Sequence, residues 1–132
     1  MHPLLEEIYA TKTVTDDAAT YSGLNALNQR PTYMDPAEGA LLQRMIAAVR
    51  PTTTLEIGMG YGVSSLFLCE ALSQLPHRAT HIVMDPLQRQ MWRNIGLRNI
   101  RAAGYADLVR FFEEPSEYCL PRLRRARKCK SP

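Results

Sequence analysis

The chain has 132 residues, 45% of them hydrophobic and 22% charged, a composition that suits one globular domain with its own core. No apolar run reaches the roughly 18–20 residues of a membrane span, and the acidic start "MHPLLEEIYATK" lacks the regions of a signal peptide. The formal net charge of +3 hides a division, because all 13 acidic residues precede Arg122 while residues 122–132 hold 6 of the 16 basic ones.

Along residues 1–30, short apolar clusters (Leu4, Leu5, Ile8, Tyr9) predict an N-terminal segment of short helices. A stronger helix begins at Asp35, an N-cap, with Pro36 at the first helical position and Glu38 completing a capping box. Leu41, Leu42, Met45, Ile46 and Val49 give it one apolar stripe, and Pro51 ends it. "TTTLEI" is a strand running into the loop Gly58–Gly62. Residues 63–75 form a helix apolar on nearly all sides, which is expected to be buried against a sheet. "ATHIVMD" is a second strand, residues 86–103 a further helix closed by Gly104, and "DLVRFF" a third strand. "EPSEYCLPRL" opens as a loop with at most a helical turn, and the basic tail 122–132 is expected to be disordered. A nucleic-acid partner would rest on that tail alone.

Strands separated by helices of this length imply right-handed crossovers and a parallel α/β sheet flanked by helices. In such sheets a ligand sits beyond the carboxyl ends of the strands, where Gly58, Gly60 and Gly62 fall. The dinucleotide pattern GxGxxG fails, because Val63 stands where its third glycine belongs. A Walker loop fails at its second glycine and at its lysine. Glu56, two residues before the loop, repels phosphate and favours a ligand that carries positive charge.

"LEIGMGYG" resembles motif I of the class I S-adenosylmethionine-dependent methyltransferases, whose cofactor brings an ammonium and a sulfonium and no phosphate. Asp85 lies where that family places an acid on the ribose hydroxyls, followed here by Pro86. "YMDPAEGALL" resembles the helix start of the catechol O-methyltransferase-like branch, and "EEPSEYCLPRL" its adenine-edge segment. The resemblance implies a Rossmann-like methyltransferase fold over residues 31–121, S-adenosyl-L-methionine as cofactor, and methyl transfer to a small-molecule acceptor, by analogy O-methylation. It further implies that Glu56, Gly58, Met59, Gly60, Tyr61, Gly62, Ser64, Asp85 and Pro86 line the cofactor. Ser116 and Glu117 would meet adenine, and Met34 the methionine end.

Each residue also has a plainer reading. The glycines could form only a turn, Glu56 could brace loop amides, and Asp85 could cap the next helix. Met34, Tyr61 and Trp92 could pack in the core. His77 and His81 lack a third donor for a metal, so no metal site is expected. Three cysteines without a CxxC argue against a disulfide scaffold and fit a reducing, cytoplasmic setting.

The family's fourth strand, which supplies the substrate pocket, has no counterpart after "LPRL". The fold is therefore expected to be truncated after about three strands, and no catalytic residue can be named. The first strand would become a sheet edge open to homo-oligomerisation. Three functions remain open: a methyltransferase present as its cofactor-binding portion, a non-catalytic remnant or oligomerising module, and a dinucleotide-binding oxidoreductase fragment.

Overall fold

Pro3 at the first helical position and the His2 ring, which accepts from the Leu4 N–H at 3.1 Å, start helix α1 (Pro3–Thr11). The structure, a computed structural model, describes residues 1–16, 19–21 and 33–128. After α1 the chain forms a short antiparallel pair, β1 (Val14–Thr15) with β2 (Thr20–Tyr21), where only helices were expected. These residues are rich in β-branched Val and Thr, and the Thr15 and Thr20 hydroxyls meet across the pair at 3.0 Å. The expected boundary between residues 30 and 31 lies outside the described residues.

Helix α2 (Pro36–Val49) begins as the capping box predicts. The Asp35 carboxylate accepts from the Ala37 N–H, and the Glu38 carboxylate accepts from the Asp35 N–H, both at 2.8 Å. Its apolar stripe divides, however. Ile46 is buried against Leu72 and Ala79, whereas Leu41, Met45 and Val49 are 49%, 53% and 72% exposed. Those three residues lie about 60–140° around the helix from Ile46, so the helix turns them away from its neighbour. Gly39 lets α2 approach closely, since a Cβ there would stand 2.5 Å from the Phe67 ring.

The main sheet holds β3 (Thr53–Ile57), β4 (Thr80–Met84) and β5 (Val109–Phe112), parallel and in that order. Helix α3 (Val63–Ser73) crosses from β3 to β4 and is buried on most sides, as its apolar sequence predicts. Among the described residues β3 and β5 are the two edges of the sheet, β3 being the one expected for a fold ending after three strands.

Two segments depart from expectation. Residues 86–103 do not form one helix: a turn occupies 86–94, and α4 (Ile95–Ala102) follows. Arg93 and Asn94 adopt the left-handed conformation (φ 56° and 58°), which no helix can pass through. At the other end of the chain, α5 spans Ser116–Lys128, so residues 122–128 are helical rather than disordered. Pro121 sits inside α5, where it removes one backbone donor. The helix persists because buried Cys119 and half-buried Leu120 and Leu123 dock it on the body. Residues 129–132 lie outside the described ones.

Cys69 lies fully buried within α3. Burial, with the Glu56 charge as a lesser cause, pushes its thiol from 9.0 up to about 12. An unfolded thiol ionises near about 8.5, so the stability that the folded thiol carries is present below that pH and lost as pH climbs toward 12. Tyr9, raised by burial from 10.0 to about 12, adds a later loss of the same sign. Melting curves at increasing alkaline pH should therefore fall, and Cys69→Ala should flatten their first part.

Candidate functional site

β3 and β4 end side by side in register, Ile57 against Met84, so the glycine loop and Asp85 emerge together at the carboxyl end of the sheet. The Gly58 N–H donates to the Met84 carbonyl at 2.8 Å, joining the loop to the second strand. Gly58, Gly60 and Gly62 have φ of 86°, 54° and 81°, a conformation that side chains other than glycine adopt at a cost. A Cβ at Gly58 or Gly60 would meet nothing within 4 Å, so the outer surface of the loop is bare backbone. Gly62 differs: a Cβ there would stand 3.1 Å from the Gly96 backbone.

Asp85 is only 4% exposed. Its Oδ2 accepts from the Met59 and Gly60 N–H groups at 2.9 and 3.0 Å, and its Oδ1 accepts from the Leu87 N–H at 2.9 Å. The carboxylate thus caps the following turn and fastens the loop at once. Of its roughly four lone-pair positions, these bonds use three and leave one for a further donor. Pro86 beside it is exposed.

Glu56 points the other way, into a polar cluster beneath the first turn of α3. It accepts from the Ser64 hydroxyl, from the Ser65 hydroxyl at 2.5 Å and from His81 Nε2 at 3.0 Å. His81 Nδ1 lies 2.9 Å from the Thr54 hydroxyl, which satisfies the second ring nitrogen. Three of the roughly four lone-pair positions of Glu56 are therefore engaged, as in Asp85, but by side chains beneath α3 rather than by backbone N–H groups of the loop.

The remaining predicted residues fall into two groups. Met59 and Tyr61 belong to the loop by their backbones, but their side chains are buried in the core, Tyr61 edge-on to Trp92 with centroids 5.0 Å apart. Ser116 and Glu117 open α5, just beyond the carboxyl end of β5, on the same side of the sheet as the loop. Met34 is half-buried, and its carbonyl accepts from the Tyr9 hydroxyl at 2.6 Å, which ties the approach to α2 onto α1. Among the described residues no group of three or more His, Cys, Asp or Glu side chains could hold a metal.

Four polar residues that the sequence reading did not single out as part of the site hold it together. Ser65, His81, Gln88 and Asn99 are all buried, and each bonds to Glu56 or to a loop carbonyl. Asn99 Nδ2 donates to the Tyr61 carbonyl at 2.9 Å, and Gln88 Nε2 donates to that of Gly60 at the same distance. The one signal for them was polarity inside otherwise apolar stretches, such as Asn99 between Leu97 and Ile100.

No family model and no curated protein sequence matches the chain. Solved structures do. An O-methyltransferase from Bacillus cereus in complex with SAH superposes with a TM-score of 0.67 at 20% identity, covering 92% of this chain and 48% of that one. The O-methyltransferase TomG from Streptomyces achromogenes, involved in tomaymycin synthesis and solved with SAM, gives 0.55 at 21% identity, covering 81% and 47%. The chain thus spans about half the length of the structures it matches. At these identities the likeness shows the fold, a Rossmann-like parallel sheet flanked by helices as in these O-methyltransferases, present here with three strands.

Proposed function

We propose that the chain is the cofactor-binding portion of an S-adenosylmethionine-dependent methyltransferase acting on a small-molecule acceptor by O-methylation. One observation carries this reading: a bare glycine ledge lies beside a buried strand-end carboxylate that keeps one acceptor position open. The residues fit the cofactor. Gly58 and Gly60 admit a ligand against the main chain, and the open position on Asp85 suits a ribose hydroxyl. The acid at the end of β4, Asp85, disfavours the phosphates of a dinucleotide beside the loop, while Glu56 braces the loop from beneath. Ser116 and Glu117 would border adenine, Met34 would lie toward the methionine end, and Ser64 at the start of α3 would meet the carboxylate through its backbone N–H, its hydroxyl already donating to Glu56.

When bound, the cofactor supplies an electrophilic methyl group on a sulfonium. The chain's own residues would orient it along the loop and hold its charges. Orienting the acceptor needs a second wall beyond the β3 edge. Calorimetric titration with S-adenosylhomocysteine tests the proposal; a folded protein that gives no heat at high ligand concentration would sink it. Asp85→Asn should weaken that binding, since the amide cannot accept all three backbone donors in the same way.

Self-association at the open edge belongs to the same proposal, as does a cytoplasmic setting. Among the described residues no strand pairs with the outer side of β3, and Leu55 and Ile57 on it are 47% and 60% exposed. Sedimentation velocity across a concentration series reads it directly. A single monomeric species throughout would remove this part and leave the cofactor reading untouched.

A further inference from the structure

The turn at residues 86–94 holds a backbone outlier that neither crossover nor capping requires. Two consecutive residues other than glycine, Arg93 and Asn94, lie in the left-handed region. Asn94 adopts this conformation more readily than most residues, whereas Arg93 costs energy there, and the pair persists where its surroundings hold it. What the turn achieves is the placement of one side chain. Asn94 N–H donates to the Gln88 carbonyl at 2.9 Å, which folds the turn around Gln88 and drives its side chain inward to complete burial.

There the Gln88 amide joins two backbones. Nε2 donates to the Gly60 carbonyl at 2.9 Å, and Oε1 accepts from the Gly96 N–H at 3.0 Å. The orientation of the amide is fixed, because a carbonyl can only accept and a backbone N–H can only donate. Gly96 allows the approach: a Cβ there would stand 2.6 Å from the Gly60 oxygen and 2.8 Å from Gln88 Oε1. Gly60 is thereby held at both ends, its N–H by Asp85 and its carbonyl by Gln88, two residues three positions apart in the chain.

We infer that Gln88 is a positioning residue for the cofactor: it acts through Gly60 and sets the loop before any ligand arrives. The inference rests on the cofactor reading above for its functional meaning, while the clamp itself concerns the ligand-free protein. Gln88→Leu keeps the bulk and loses both bonds. Its expected effects are faster hydrogen exchange at the Gly96 amide without ligand, and an affinity for S-adenosylhomocysteine lower by about tenfold. Gln88→Glu, read at a pH where its carboxyl is ionised, can still accept from Gly96 but cannot donate to Gly60, so it should restore the protection at Gly96 and leave the affinity low.

A merely structural role is separated by Ile46→Val, which loosens the distant cluster of Ile46, Leu72 and Ala79 and should leave the affinity unchanged. All titrations are run well below the melting temperature of each variant. Gly96 exchange in Gln88→Leu as slow as in the parent overturns the clamp, whatever the titrations give. Equal affinity losses in Gln88→Leu and Ile46→Val overturn the positioning role. If the parent binds no S-adenosylhomocysteine while the exchange still quickens, the clamp stands and the cofactor reading is what falls.

Discussion

Gly60→Val should abolish measurable binding of S-adenosylhomocysteine while keeping the far-ultraviolet circular dichroism of the parent. The reason is the empty space outside the loop. A Cβ at Gly60 meets no protein atom within 4 Å, so the side chain leaves the loop toward open space. The remaining penalty is conformational, since φ is 54° and a non-glycine residue there costs about 1–2 kcal/mol. That is small against the roughly 5–15 kcal/mol of a typical domain. A ligand lying on the backbone meets the valine directly, and an affinity loss of at least about 100-fold, or about 2.7 kcal/mol, is expected. Gly62→Val makes the contrast. Its Cβ would press on the Gly96 backbone at 3.1 Å, so this variant should lose stability as well as binding. Retained affinity in Gly60→Val would mean that the loop is only a strand-to-helix turn.

The two glycines look alike in the sequence, and this marks where legibility ends. Local signals read well. The capping box at Asp35, the strand ending at Glu56–Ile57 and the three alternating glycines act within a few residues of chain, so spacing alone exposes them. The open β3 edge was also legible, because a fold of three crossover-linked strands must leave edges. What did not read were groups whose partners lie far along the chain. Asn99 serves a carbonyl 38 residues away and Gln88 one 28 residues away, and no local pattern announces either. The helix expected over residues 86–103 failed for the same reason. Met91, Trp92 and Ile95 kept a helical period, but tertiary bonding to Gln88 bent the backbone at Arg93 and Asn94. In α5, where a loop with at most a helical turn was expected, docking of Cys119 carries the helix through Pro121.

Glu56, read from the sequence as either a brace or a ligand contact, yields the second large effect. Glu56→Leu should lower stability by about 3 kcal/mol in denaturant unfolding, more than expected from the loss of one surface acid. The carboxylate accepts from Ser65 and His81, both fully buried, and from Ser64. Removing it leaves Ser65 and His81 with only their mutual 3.3 Å contact, and the buried donor that this contact cannot satisfy costs about 1–3 kcal/mol. Glu56→Gln behaves differently. Its amide oxygen, in the place of Oε1, can accept from Ser64. Its NH2, in the place of Oε2, donates to His81 Nε2 and to the Ser65 hydroxyl oxygen, provided that the ring proton moves to Nδ1 and bonds to the Thr54 hydroxyl. Stability should then stay within about 1 kcal/mol of the parent, although the negative charge is gone. Comparing S-adenosylmethionine with S-adenosylhomocysteine on Glu56→Gln separates the two readings. A brace lowers neither affinity by much, whereas a charge acting on the ligand lowers that of the sulfonium form more. Because both oxygens of Glu56 are already engaged in the ligand-free protein, the expected outcome is the brace: equal, small losses for the two ligands. A Glu56→Leu variant that unfolds at the parent's midpoint would show that the buried cluster finds other partners and carries no such role.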